Sequence, residues 1–539
     1  MPVQVTYPGV YIQELPSGRH TITGVATSIT AFVGRALYGP VEEPITIFSF
    51  GDYQRFFGGL AYDFPMSYAV QDFFLNGGSQ AVIVRLFEQK KSTDNGKAQL
   101  AQLKEAPSPS PSATNPSNEA QQFTLEAANP GTWGNKLTAT VNIQGITDKV
   151  AENFASYGLN KNDLFNLTVQ VTYPNGTTDF EQFTNVTIKK TPPSPNRLDL
   201  VLKNESRLLR VPLDADNQPQ LPSTTPPDGT KLEVKENGDN GTNLSVETYE
   251  GDRNKRTGIY ALENIELFNI MCIPLDQRIA GKDVYPKALS YCFERRAMLI
   301  VDPPTTWLGE VKNGNISQLQ PTDVGIEGLE TINAAVYFPR VIKEDPMMKN
   351  QLDTFSACGI IAGIYAATDV TRGVWKAPAG LDAGILGINS LELKLTDQQN
   401  GVLNPLGINC LRTFPIVGSV VWGDRTLRGA DILDSDYKYV SVRRLTLYIE
   451  ESLYQGTKWA VFEPNNENLW SALRLSVGSF MESLSRQGAF YSYQVVCDKT
   501  TTTQRDIDLG IVNVLVQFAP VKPAEFVVIQ IQQQAGQTT

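Results

Sequence analysis

The chain has 539 residues, of which 41% are hydrophobic and 9% aromatic, a globular composition long enough for several cores, since one core seldom exceeds ~250–300 residues. Its net charge of -11 argues against nucleic acid and against an anionic membrane surface as partners. No apolar run approaches the ~18–20 residues of a membrane-spanning helix, so direct membrane insertion is not expected.

Residues 1–25 read as an arm. Val3, Val5 and Tyr7 alternate with Gln4 and Thr6, Pro8-Gly9 breaks the run, and Val10 resumes it. Fully extended, the arm reaches ~80 Å at ~3.3 Å per residue. A buried strand is expected at 28–34 and a short helix at 52–57, closed by Gly58-Gly59. A clearer helix starts at Pro65, with Met66, Ala69, Val70, Phe73 and Phe74 on one face. Residues 81–86 form the next strand. Near residue 90 the composition changes. The Pro/Ser-rich stretch 104–116 reads as an exposed flexible loop, and short strand-like runs follow at 137–143, 167–173, 186–189 and 198–202, separated by Asn-Gly, Pro-Pro and Asp-Gly turns. Residues 91–255 thus look like a β-rich, surface-exposed insertion. Buried strands at 267–273 and 297–301 flank a helix at 285–296, so 26–90 and 256–350 are expected to form one discontinuous α/β domain.

A second α/β domain is expected over 351–518. One helix carries Val440, Arg444, Leu445, Tyr448, Ile449 and Leu453, and a strand at 459–462 follows. The strongest helix spans 467–487, with Leu469, Trp470, Leu473, Val477, Phe480, Met481 and Leu484 on one face and Arg474, Glu482, Ser485 and Arg486 opposite. Strands at 491–497 and 511–518 lead to an arm, 519–539, in which Val527, Ile529 and Ile531 alternate with Phe526, Val528 and Gln530. The fold class is therefore α/β (α+β) and multidomain.

Catalytic equipment is sparse. His20 is the single histidine, which excludes HExxH zinc sites and histidine pairs. There is no GxxxxGK[ST], GxGxxG or GxSxG motif. Gly380-Leu-Asp-Ala-Gly-Ile-Leu-Gly387 reads as a tight buried loop, and Asn237-Gly-Asp-Asn-Gly-Thr242 as a surface turn lacking the carboxylates of a calcium loop. The five scattered cysteines make no CxxC and read as buried free thiols of a reducing compartment, so folding in a cytoplasm is expected. The N-terminus lacks the basic and apolar stretches of a secretory signal. No enzyme activity, cofactor or metal is expected.

The two ends carry the most information. Burying Phe526, Val527, Val528, Ile529 and Ile531 is worth roughly 8–15 kcal/mol at ~1.5–3 kcal/mol each, and fixing about eight residues costs ~1–2 kcal/mol each. The sum is near zero, so this strand needs a host sheet. The host lies either in the same chain or in a neighbour's open edge.

Several stretches resemble the sheath proteins of contractile phage tails and related injection systems. They include Tyr7-Pro-Gly-Val-Tyr-Ile-Gln-Glu14, Ala31-Phe-Val-Gly-Arg35, Phe73-Phe-Leu-Asn-Gly-Gly78, Gly373-Val-Trp-Lys-Ala-Pro-Ala-Gly380 and Asn400-Gly-Val-Leu-Asn-Pro-Leu-Gly-Ile-Asn409. Thr23-Gly-Val-Ala-Thr-Ser28, Phe56-Phe-Gly-Gly59, Tyr68–Arg85, Thr426-Leu-Arg-Gly-Ala-Asp431, Phe462-Glu-Pro-Asn465, Asp506-Ile-Asp-Leu-Gly510 and Pro523-Ala-Glu-Phe-Val-Val528 belong to the same set, with Gly131-Thr-Trp-Gly-Asn-Lys136 the one match inside the insertion. About two thirds of the chain is covered, and the insertion matches poorly. The resemblance implies a structural subunit stacked as hexameric rings around an inner tube, with both arms lent to neighbouring copies. Val3, Val5, Tyr7, Val10, Phe526, Val527, Val528, Ile529 and Ile531 are then the donated residues. It also implies baseplate and terminal cap proteins as further partners, and a C-terminal domain that grips the tube. Arg474, Glu482 and Arg486 are the first tube-contact candidates, followed by Arg505, Asp506 and Asp508. Another tail component, such as a baseplate or cap subunit, and a soluble cytosolic enzyme are the alternatives.

Overall fold

A computed structural model describes residues 20–89, 100–105, 123–173, 176, 178–275 and 282–531. The expected strand of Val3, Val5, Tyr7 and Val10 lies outside these residues, as does most of the Pro/Ser-rich stretch.

The main sheet has eight strands, in the order Gly418–Trp422, Asn409–Phe414, Ala334–Phe338, Met298–Val301, Ile270–Cys272, Thr30–Gly34, Ala81–Arg85, Ile45–Ile47. The inner six run parallel, and the two edge strands are antiparallel to their neighbours. Successive side chains in a strand point to opposite faces, and here both faces are covered. Ala31, Val33, Val82, Val84, Met271 and Leu299 enter one core, and Phe32, Ile83, Cys272, Ile300 and Tyr337 the other. This double burial is why these strands read as unbroken apolar runs. Helix Tyr285–Glu294 covers the first face; helices Pro65–Leu75 and Cys358–Arg372 cover the second. The last two touch backbone to backbone. A Cβ on Gly359 would lie 2.0 Å from the Ala69 carbonyl oxygen, and one on Gly363 would lie 2.6 Å from that of Phe73. The main sheet runs past residue 350, through strands Asn409–Phe414 and Gly418–Trp422.

The segment between strands Ala81–Arg85 and Ile270–Cys272 holds a seven-stranded antiparallel sheet. Its own core includes Leu137, Val141, Phe165, Val169, Leu198 and Leu202. Two expected strands are corrected here. Residues 198–202 belong to helix Leu198–Glu205, because Leu198 and Leu202 bury together at the i, i+4 spacing while Asp199 occupies the first turn. Residues 186–189 do not make a strand of their own: Val186 ends Thr178–Val186, and Thr187 forms only an isolated bridge to Arg197.

In the last third, helices Val440–Gly456 and Glu467–Arg486 pack on a two-stranded hairpin, Phe490–Val496 with Leu515–Pro520, through Leu445, Ile449, Val477, Phe480, Met481 and Leu484. The strand expected at 459–462 is instead a 3-10 turn, Lys458–Ala460. Phe462 follows it at φ 70 and stands fully exposed. The strand expected from 511 begins at Leu515, and helix Gln504–Asp508 lies within the loop that precedes it.

Because Gly359 meets a backbone oxygen, Gly359→Val should force the two helices apart. The expected cost is about 3 kcal/mol, read as a lowered urea midpoint with an unchanged m-value.

Candidate functional site

The first and the last described segments are each anchored to the body of the fold. At the C-terminal end the anchor is Glu525. Arg425 donates to its carboxylate through Nε at 2.7 Å and Nη2 at 2.8 Å, and the Tyr439 hydroxyl donates at 3.1 Å. The Arg425 side chain has no exposed surface, and its Nη1 also pairs with Asp431 at 2.8 Å. Asn409, fully buried in a main-sheet strand, grips the backbone of Arg425: its Oδ1 accepts from the Arg425 N–H, and its Nδ2 donates to the carbonyls of Arg425 and Val336. The arm is thus tied to the middle of the main sheet. Burial alone would raise the Glu525 carboxyl, but Arg425 outweighs it and holds the group below its usual value. Next to Arg425, Asp424 is buried and accepts a 2.6 Å hydrogen bond from the Ser441 hydroxyl. Burial pushes its carboxyl up to about 7, against the opposing effects of the Ser441 hydrogen bonds, Arg444 and Lys376.

Beyond Glu525 the described residues, 526–531, form no strand in this subunit. Phe526, Val527, Val528, Ile529 and Ile531 are 74 to 91% exposed.

At the N-terminal end, His20 stacks on Trp459 with ring centroids 3.9 Å apart. Ile22 is buried among Leu445, Ile449 and Phe480, and the Val25 N–H donates to Ser452 Oγ at 3.2 Å. Thr27 then joins a buried ion pair: its hydroxyl donates to Asp369 at 2.6 Å and its carbonyl accepts from Arg444 at 2.9 Å. Arg444 forks onto Asp369 at 2.8 and 2.6 Å. The hairpin Phe490–Val496/Leu515–Pro520 shares a core with Ile22, and its second strand ends at Pro520, shortly before Glu525. It has two strands, so among the described residues each strand has one open edge.

The tube-contact candidates fall into separate places. On helix Glu467–Arg486, Arg474 donates to the Cys497 carbonyl and pairs with Glu467, Arg486 pairs with Glu482 at 2.8 Å, and Glu482 also accepts from the Tyr493 hydroxyl. On helix Gln504–Asp508, Asp506 caps the helix with Thr503 and Asp508 accepts from Gln504, while Arg505 and Asp508 are exposed. Arg425, Asp424, Tyr439 and Asn409 were not singled out by the sequence, although the stretches 400–409 and 426–431 contain or flank all of them but Tyr439. An ion pair spanning 100 residues leaves no local spacing to read. Among the described residues no group of three or more His, Cys, Asp or Glu side chains is placed to hold a metal ion, and no helix is long and apolar enough to cross a membrane.

Residues 260–427 match the family model of the phage tail sheath protein central domain, and residues 433–534 that of the phage tail sheath C-terminal domain. Together they cover about half of the chain. The tail sheath protein of Vibrio phage KVP40 is 26% identical over 247 residues, which are 43% of this chain and 36% of that protein. The tail sheath protein of Enterobacteria phage T4 is 32% identical over 149 residues, 28% of this chain and 22% of that protein. The chain therefore spans well under half of the length of these relatives. The cryo-EM structure of the anti-feeding prophage helical sheath in its contracted state has the same fold, with TM-score 0.54 and 20% identity over 98% of this chain and 100% of that one.

The carboxyl of Asp424 binds its proton more tightly folded than unfolded. Its contribution to stability is complete below the ordinary value of 3.8 and is lost as the pH rises to about 7. Asp424→Asn should remove a loss on the order of 4 kcal/mol across that window. Urea unfolding of wild type and variant at pH 4 and pH 7.5 measures it: the variant should gain relative to wild type only at the higher pH.

Proposed function

This chain belongs to the phage tail sheath family, and from that premise we propose that it is the structural sheath subunit of a contractile phage-tail-like injection system. Copies polymerise as stacked hexameric rings around an inner tube, and the sheath shortens to drive the tube into a target. Its partners are further copies of itself, the inner tube protein, and baseplate and terminal cap proteins. It is made and assembled in the cytoplasm and ends in a phage tail or tail-like particle.

One observation carries the reading. Glu525 is clamped to a buried arginine, while the five apolar side chains that follow stand in water. A segment held at its root and unsatisfied beyond it is suited to an open sheet edge elsewhere. The hairpin Phe490–Val496/Leu515–Pro520 supplies such edges on every copy, so each subunit can give and receive a strand. Val3, Val5, Tyr7 and Val10 form the second donated strand. The insertion 91–255 lies on the outside of the assembly, and the C-terminal part faces the tube. Arg474, Glu482 and Arg486 are held in ion pairs within the chain, whereas Arg505, Asp506 and Asp508 make only local hydrogen bonds, with Arg505 and Asp508 exposed, so we place the tube contact on these three. Exposed ion pairs give only ~0–1 kcal/mol each, a strength that holds the extended state in sum and parts one subunit at a time.

A chain ending at Glu525 should keep the thermal midpoint of the full chain and fail to form long sheaths by electron microscopy. Normal sheaths from that truncation would refute strand donation. Discrete rings from the full chain alone would mark a baseplate or cap subunit instead. Arg505→Glu combined with Asp508→Lys should give sheaths that assemble without a tube when both proteins are co-expressed, and normal tube-filled particles would move the contact back to helix Glu467–Arg486.

A further inference from the structure

The geometry points to a docking place on each subunit, at the root of its C-terminal arm, for residues 11–15 of a second copy. This rests on the reading that arms are exchanged. A cavity of about 960 Å³ opens there, walled by Trp375, Trp422 and Phe526, with Arg372 and Lys376 at its polar side. Both cations are weakly engaged. Arg372 has the exposed Asp382 at 3.5 Å, and Lys376 donates to the carbonyls of Ala377 and Ala379 at 2.9 and 3.4 Å. Of the two carboxylates at the cavity, Glu525 is taken up by Arg425, and Asp424 is hydrogen-bonded to Ser441 and holds its proton up to about pH 7. Asn400 also lines the cavity, and its Oδ1 is buried without a hydrogen-bond partner among the described residues.

The cavity thus asks for apolar side chains against two indoles, an N–H donor and a carboxylate. Tyr11-Ile12-Gln13-Glu14-Leu15 offers all three. Continuity with the hairpin selects the source. Val521 lines the cavity and directly follows strand Leu515–Pro520, whose Pro520 faces Phe490 at that end. A neighbour's strand of residues 3–10 laid on this hairpin toward Pro520 delivers residues 11–15 to the cavity. Glu14 then meets Arg372 and Lys376. The same segment of the subunit's own chain starts five residues from His20, within ~17 Å of reach, so the experiment has to separate the two.

Glu14→Cys and Lys376→Cys, placed together in the full chain, supply that test, since all five native cysteines are buried. Oxidation of assembled sheaths should give a ladder of dimers and higher multimers on a non-reducing gel, absent in either single variant. A cross-link confined to the monomer band, or none, overturns the inference. A chain lacking residues 1–10 distinguishes the levels: if it still forms long sheaths, arm exchange itself fails; if it does not and the cross-link is missing, only the docking place fails. Should the cysteine pair not assemble, Glu14→Lys and Lys376→Glu decide: each alone should abolish long sheaths and the pair restore them, and absence of restoration overturns the inference.

Discussion

The carboxylate of Glu525 and the guanidinium of Arg425 make each other's position possible. A buried guanidinium without a counter-charge costs several kcal/mol, and deleting one partner of such a pair typically costs ~3–5 kcal/mol. Glu525 and Asp431 neutralise Arg425, and Asn409 holds its backbone against the central strand Ala334–Phe338. A pull on the C-terminal arm therefore passes through a side chain with no exposed surface into the middle of the main sheet. The N-terminal root follows the same logic through Thr27, Asp369 and Arg444, which link the first described segment to two helices. A subunit whose ends are shared with neighbours needs such roots, because a strand paired to another copy transmits only as much force as its own attachment bears.

The edges of the sheets show where association is permitted. One edge of the main sheet, Ile45–Ile47, is only three residues long. The other, Gly418–Trp422, is covered by a loop: Ile385 donates to the Ser419 carbonyl and Gly384 bridges to Val420. Short or covered edges discourage unplanned pairing. The hairpin behind helix Glu467–Arg486 has no such cover among the described residues, and the exposed apolar residues 526–531 belong to the same third of the chain. An open sheet edge and a run of exposed apolar side chains thus lie in the same third of the chain.

How much of this was legible depended on the range of the interaction. Helices Pro65–Leu75, Tyr285–Glu294, Val440–Gly456 and Glu467–Arg486 follow from apolar spacing with proline or glycine at their ends. The parallel strands follow from unbroken apolar runs that need cover on both faces. Residues 198–202 misled because Leu198, Leu200 and Leu202 fit a period of two as well as a helix, and only packing in the insertion core selects i, i+4. Residues 459–462 misled because an apolar run of four does not reveal that Phe462 takes a left-handed backbone and stands in solvent.

By itself the sequence determined the local elements, the absence of recognisable catalytic motifs, the family resemblance and the imbalance of the terminal strand, since each rests on residues close together in the chain. Only the tertiary structure decided that Glu525 is an anchor and that 526–531 stand exposed without a strand partner among the described residues. It also decided that Asp424 is buried enough to titrate near neutrality. These facts depend on groups up to 100 residues apart meeting in a dry interior, where the energy of a charge is set by its surroundings rather than by its neighbours in the chain.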